Sequence, residues 1–317
     1  MNPVRNFSGA SNAARIILGI DLAAEQRGII SNGVKMPFTV EEIEACVIVM
    51  RELFLYLKPY RDQIVLIGGW VPYFLLEKYR YPGEYDQHVG SLDIDVALDA
   101  FSIPETDYKT ILEILSGRGF YQRKNGTGRD IPASFLKKIV LKSGKEIEVR
   151  IDFLAPEYGG TPKKRRHQII QDMLARKGRG TDIVFGHADI IHLSGPISNG
   201  ANIELDIKVA DVAACFVMKG ITLGERTWEK DAYDLYMLAR YYKEGPQSVL
   251  SELKKLGSHG LMKEALRNIE EQFKDVKALG PVSVATFMGM TDKDEYDRMT
   301  RDAYELLQFI VRGMKNK

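Results

Sequence analysis

Apolar residues recur at helical spacing from Thr39 onward. Ile43, Val47, Met50, Phe54 and Leu57 fall on one face, and Thr39 followed by Glu41 and Glu42 marks a helix start, with acids in the first turn where the helix dipole favours them. The helix should stop at Pro59. A β-branched run, residues 64–67, then ends at Gly68-Gly69 and leads into a helical stretch over 71–79 and a polar loop over 80–90. From Leu92 to Leu98 the pattern changes period: Leu92, Ile94, Val96 and Leu98 alternate with Asp93, Asp95 and Ala97, which is a strand. Residues 104–115 read as a helix, with Pro104 near its first turn and Gly117 and Gly119 past its end. Two strands over 135–141 and 146–154 are joined by Ser143-Gly144, a hairpin signal.

Beyond this point the pattern divides. A strand-like stretch over 190–207 is broken at Asn199-Gly200, and helical periodicity then continues to the end: 209–219, 227–242, 246–256, 261–273, 282–288 and 292–311. The expected fold class is α+β, a mixed β-sheet with flanking helices followed by a mainly helical C-terminal half. The expected domains are an α+β unit over 36–207 and a helical unit over 208–317. Residues 1–35, rich in Asn, Ser and Gly with a short apolar stretch at 16–20, read as a weakly ordered leader, and Met36 as the practical start. The sequence has no internal repeat and no low-complexity tract.

Composition narrows the function without choosing it. The 317 residues are 45% hydrophobic and 27% charged, and 44 basic side chains face 43 acidic ones. A chain so close to neutrality draws no polyanion or membrane through its overall field, so a basic site has to be local. The longest near-uncharged run, 64–76, contains Gly68, Gly69 and Pro72 and is too short to cross a bilayer. Cys46 and Cys215 lie far apart in apolar contexts and form neither a disulfide framework nor a metal pattern. The expectation is a soluble cytoplasmic protein with no membrane partner.

Chemistry concentrates in Gly90-Ser91-Leu92-Asp93-Ile94-Asp95. Side chains two apart on a strand share a face, so Asp93 and Asp95 project together and repel each other unless a cation lies between them. Such oxygens suit Mg²⁺, which is held by one or two carboxylates and substrate phosphates. Asp-x-Asp is also common on half-exposed strands, and two other features raise its weight. The Gly68-Gly69 turn before a helix allows a phosphate to approach backbone N–H groups. Strand 146–154 offers Asp152 as a third carboxylate, on the same side as Glu146 and Glu148, although an ion pair with Arg150 would account for it equally well. Together the set meets the needs of two-metal nucleotidyl transfer.

The Gly68-Gly69 turn, the strand from Ser91 to Asp95 and the later Asp152 strand resemble the nucleotidyltransferase (polymerase β-like) superfamily. The long interval from Gly69 to Asp93 departs from its pattern and implies an extra loop over 80–89 covering the nucleotide. Lys219-Gly220, Arg226 and the run Glu229-Lys230-Asp231-Ala232-Tyr233-Asp234-Leu235-Tyr236 resemble the helical motif of the AbiEii-type nucleotidyltransferases, toxins of abortive-infection and toxin–antitoxin systems. The resemblance, from about Val65 to Leu238, implies Asp93, Asp95 and Asp152 as ligands of Mg²⁺ or Mn²⁺ and, with Lys219, as catalytic residues. It implies Gly68, Gly69, Ser91, Lys219, Arg226, Lys230, Asp231 and Asp234 as the NTP site, and a tRNA or protein hydroxyl as acceptor. A cognate antitoxin is an implied partner. An exposed ion-pair face would explain Lys230, Asp231 and Asp234 without any nucleotide. The competing functions are a non-catalytic nucleotide-binding or partner-docking module and a small-molecule (antibiotic) nucleotidyltransferase.

Residues 163–179 hold 7 Lys or Arg against one acid, Asp172: Lys163, Lys164, Arg165 and Arg166, then Arg176, Lys177 and Arg179. Such a run is either a polyanion site or a solvated loop and helix face. His88, His187, His192 and His259 lack ligand spacing and read as structural, and Trp70 and Trp228 as packing residues. Lys219 is expected near the end of one helix and Arg226 just before the next, both at element ends facing the acidic strand.

Overall fold

The computed structural model describes residues 38–80, 87–103, 110–157, 167–171, 173–226, 229–257 and 259–316. The leader and Trp228 therefore lie outside the described residues, as do Lys163, Lys164, Arg165 and Arg166.

The chain opens with α1 (Val40–Tyr56), whose N-cap Thr39 and Glu42 form a reciprocal capping box. Strand β1 (Ile64–Ile67) runs through Gly68-Gly69 into α2 (Trp70–Tyr79). Next come β2 (Asp93–Leu98) and α3 (Ile111–Ser116), the latter capped by Thr110 and Glu113. The helix expected over 104–115 begins at Ile111 behind the Thr110 cap and ends at Ser116, and residues 104–109 lie outside the described residues. Strands β3 (Phe120–Lys124), β4 (Asp130–Val140) and β5 (Glu146–Pro156) follow as an antiparallel meander. Strand β3 was not legible in the pattern, because only Phe120 of its five residues is buried.

The hairpin of β6 (His167–Ile170) and β7 (Met173–Gly178) occupies the basic run, where a loop and helix face had been one reading. Strands β8 (Ala188–Pro196) and β9 (Asn202–Ala210) pair along their whole length across Asn199-Gly200. The helical half comprises α4 (Val212–Glu225), α5 (Glu229–Tyr241), α6 (Pro246–Lys255), α7 (Gly260–Gln272), α8 (Leu279–Phe287) and α9 (Lys293–Lys315). One boundary moves: Val209 and Ala210 complete β9, and α4 begins at Val212 behind the Asp211 cap and runs on to Glu225.

The sheet is mixed, in the order β3-β4-β5-β2-β1-β9-β8, with β7 added to the far end of β5. Strand β1 sits near the middle, antiparallel to β2 and parallel to β9, and all four of its residues are buried. A run apolar on both faces is what a central strand requires. Helix α1 crosses the sheet against β2, β4, β5, β8 and β9. Helices α4 and α5 pack together and against α2, which brings the start of the helical half to the Gly68-Gly69 end of the sheet. No described helix is long and apolar enough to cross a membrane.

Candidate active-site cleft

The pleat separates the residues of β2. Ile94 and Val96 are fully buried, while Asp93 and Asp95 are half-buried on the opposite face. Strand β5 lies parallel to β2 in a register that sets Arg150 beside Asp93 and Asp152 beside Asp95. Three carboxylates and one guanidinium therefore share four adjacent positions. Arg150 Nη2 donates to Asp93 Oδ2, and Arg150 Nε lies 3.4 Å from Asp152 Oδ2. Burial, reinforced by the charges of Asp152 and Asp93, pushes the Asp95 carboxyl up to about 6. Burial also raises Asp93, against the opposing pull of Arg150. The face holds more negative charge than its own cation compensates.

Asp95 pairs across to Ile67, the last residue of β1, so its carboxylate meets the turn that follows. Gly68 has φ +78, and a Cβ there would lie inside the Asp95 carboxylate. At Gly69, the residue preceding α2, a Cβ would stand 2.8 Å from Ser91 Oγ and 2.9 Å from Lys230 Nζ. Both glycines are thus required by close approach, and Gly68 by its backbone as well.

The opposite wall is a buried charge network between α4 and α5. Lys219 Nζ donates to Asp231 Oδ1 at 2.9 Å and contacts Asp234 Oδ2 at 2.6 Å. Lys230 Nζ donates to Asp234 at 2.9 and 3.2 Å, and Arg226 Nε to Asp231 Oδ2 at 3.0 Å. Burial opposes the charge on Lys219, but Asp234 and Asp231 outweigh it and hold the ammonium well above its usual range. Burial and the neighbouring Lys219 charge pull Lys230 down despite Asp234. Asp234 itself stays ionised: burial works against the charge, and Lys219, Lys230 and His88 overcome it.

His88 completes the network from behind. Its Nδ1 accepts from Gly90 N–H at 3.1 Å, which leaves the proton on Nε2 to donate to Asp234 Oδ1 at 2.9 Å. The ring is 1% exposed, and burial pushes it down to about 4. Tyr233 lies against it with ring centroids 5.1 Å apart and accepts from Val89 N–H at 3.3 Å. The end of the polar loop expected over 80–90 is therefore a strap pinned to α5, while residues 81–86 lie outside the described ones.

Between the two walls lies a cleft of about 400 Å³. It brings together Gly68, Gly69, Ser91, Asp93, Asp95, Asp152, Lys219, Arg226, Lys230 and Asp231, so that of the residues singled out in the sequence only Asp234 stands behind the lining. Arg123, Arg150 and Arg176 line it too, giving six cations against four carboxylates and a cleft that favours an anion. None of these three arginines was singled out for the site in the sequence, and His88, which does not line the cleft, is the buried structural histidine expected. Arg150 was within reach, because it alternates with Asp152 on one strand; Arg123 and Arg176 come from strands the pattern did not reveal.

One expectation needs correction. Lys219 is in the middle of α4, 8% exposed, and not at an element end. Of the basic run, Lys163, Lys164, Arg165 and Arg166 lie outside the described residues; Arg176 lines the cleft, while Arg179 is tied to Glu225 at 3.0 Å and to Glu264 at 2.8 and 2.6 Å, with Glu157 3.6 Å away. Among the described residues no three His, Cys, Asp or Glu side chains converge as a ready-made metal-ligand set.

No family model matches the chain, and no curated protein matches it. Among solved structures the chain is similar to an antigenic nucleotidyltransferase-like protein from Paracoccidioides brasiliensis, with a TM-score of 0.41 and 14% identity, over 77% of this chain and 94% of that one.

Proposed function

We propose that the protein is a nucleotidyltransferase that moves a nucleoside monophosphate from an NTP to a hydroxyl group, dependent on Mg²⁺ or Mn²⁺. The observation that carries this reading is the meeting, in one cleft, of three carboxylates from a sheet face with the Lys219–Asp231–Asp234–Lys230 network and the Gly68-Gly69 turn. The donor chemistry fits a hard divalent ion. Asp93, Asp95 and Asp152 offer only oxygens, and the register of β2 and β5 sets these three carboxylates beside a single guanidinium. Arg150 has to release Asp93 and Asp152 before both can serve as ligands. When bound, the ion supplies positive charge to the phosphate oxygens.

The chain's own residues account for the rest. Two of the three ammonium donors of Lys219 go to Asp231 and Asp234, and the third suits a phosphate oxygen in the cleft it lines. Arg226 and Lys230 add charge beside it, held in place by Asp231 and Asp234. The glycine turn lets the triphosphate approach the backbone at the start of α2. The acceptor hydroxyl attacks the α-phosphorus, its proton passes to Asp152, the bond to the bridging oxygen breaks and pyrophosphate leaves.

The likeness of the run from Lys219 to Tyr236 to the AbiEii-type enzymes supports a tRNA or protein acceptor, and with it a toxin role and a cognate antitoxin. One observation favours a second reading, a nucleotide-binding module without transfer: the guanidinium of Arg150 already supplies a counter-ion to Asp93. Incubation with each α-labelled NTP, Mg²⁺ or Mn²⁺, and total tRNA, cell protein or an aminoglycoside tests the choice. Label on one acceptor, abolished by Asp95→Asn, is the expected result. NTP binding with no label on any acceptor would establish the binding module.

A further inference from the structure

We propose that Arg150 is a built-in counter-ion of the acidic face, competing with the divalent ion for Asp93 and Asp152 and turning to the triphosphate once the ion has taken them. The inference rests on the nucleotidyltransferase reading for the identity of the ion, and adds a residue that changes partners during loading.

The backbone register creates the arrangement. In the parallel ladder of β2 and β5, Asp93 stands beside Arg150 and Asp95 beside Asp152, so four charged side chains occupy the corners of one small area. Three carboxylates and one guanidinium leave a formal charge of −2, which one divalent ion neutralises. The hold of Arg150 on this area is uneven. Nη2 donates to Asp93, whereas Nε, 3.4 Å from Asp152 Oδ2, is a buried donor without a hydrogen-bond partner. A bidentate guanidinium fork would satisfy both.

The surroundings permit movement. The Arg150 side chain is 30% exposed and lines the cleft, so a change of rotamer opens no void in the core. Lys219, its side chain 10% exposed between two aspartates, has no such freedom. Among the described residues that line the cleft, Arg150 is the one cation ion-paired to the acids of the sheet face; Arg226 and Lys230 are held by Asp231 and Asp234. An entering divalent ion repels the guanidinium and takes its carboxylates, and the triphosphate offers replacement oxygens in the same cleft.

The test measures ion binding without nucleotide. Mn²⁺ titrations followed by electron paramagnetic resonance are run on the wild type, Arg150→Met and Arg150→Lys, with Asp95→Asn as control. Arg150→Lys keeps the charge and guards against a folding failure of the methionine variant. Arg150→Met should bind Mn²⁺ at least tenfold more tightly than the wild type, with Arg150→Lys between them. At saturating Mn²⁺, Arg150→Met should bind a fluorescent NTP analogue at least tenfold more weakly. Saturable Mn²⁺ binding of equal affinity in all three Arg150 forms overturns the counter-ion role and leaves the nucleotidyltransferase reading standing. Unchanged NTP affinity overturns the change of partner. Failure of every form, indistinguishable from Asp95→Asn, overturns the ion site and the reading beneath it.

Discussion

The sharpest physical consequence of the buried network concerns His88 and acidity. Its ring is 1% exposed, accepts from Gly90 N–H and donates to Asp234, and burial pushes it down to about 4 from a reference of 6.5. Below pH 6.5 the unfolded chain gains a proton on this imidazole that the folded one refuses. The contribution of His88 to stability is therefore fully present above 6.5, falls as pH drops toward 4, and levels off below. A displacement of that size corresponds to about 3 kcal/mol. Other groups titrate in the same window. Asp95 works in the opposite sense, since it takes up a proton when folded, near 6, that the unfolded chain takes up only near 3.8. The perturbation must isolate His88, and His88→Gln does so, since its amide can still donate to Asp234. Lys219, Lys230, Asp234 and Tyr233, which surround the ring, are common to both proteins and largely cancel in the difference. At pH 8 the variant should be less stable by about 1–3 kcal/mol through imperfect pairing. At pH 4.5 that deficit should shrink by about 2.5 kcal/mol, so the two stability curves approach or cross. Urea unfolding followed by circular dichroism between pH 8 and pH 4.5 measures it. Parallel curves, or five histidine NMR signals all titrating near 6.5, would refute the reasoning.

Two further outcomes separate site from scaffold. Gly68→Ala forces a Cβ into the Asp95 carboxylate at a φ of +78, so nucleotidyl transfer should be lost and stability fall by about 1–3 kcal/mol; an alanine variant with full activity on labelled NTP would dismiss the close approach as unimportant. Arg226, with a side chain 42% exposed, shares Asp231 with Lys219. Arg226→Ala should thus change the melting free energy by under about 1 kcal/mol while slowing transfer by about 30- to 1,000-fold, and an unaltered rate would return it to the class of plain ion pairs.

Local pattern determined most of the elements and the faces of the strands it revealed. The alternation of Leu92 to Leu98 already required Asp93 and Asp95 to share one side of a strand, because the pleat has a period of two. The β-branched run at 64–67 is a strand, and the six helical stretches expected after residue 208 are all helices, with α4 shifted to Val212–Glu225, α8 starting at Leu279 and α9 running on to Lys315. The same rule puts Arg150 on the face of Asp152, two residues along the same strand. What periodicity cannot supply is a partner. That Asp95 lies beside Asp152, and Asp93 beside Arg150, is a matter of register between strands more than fifty residues apart, and a slip of one residue would have sent either set to the opposite face. Strand β3 escaped notice because its burial comes from one residue, so its hydrogen-bonded neighbours decide its conformation more than its own pattern does. The charges divide the same way. Within the basic run, Arg179 meets Glu225 and Glu264 from distant helices and Arg176 faces the cleft, because ionic pairing follows distance in space and not in sequence. Lys219 and His88 show the limit most plainly: one was assigned to a helix end and the other to structural packing, and only the docking of α4, α5 and the strap at Gly90 buried both around Asp234 and made them a single network.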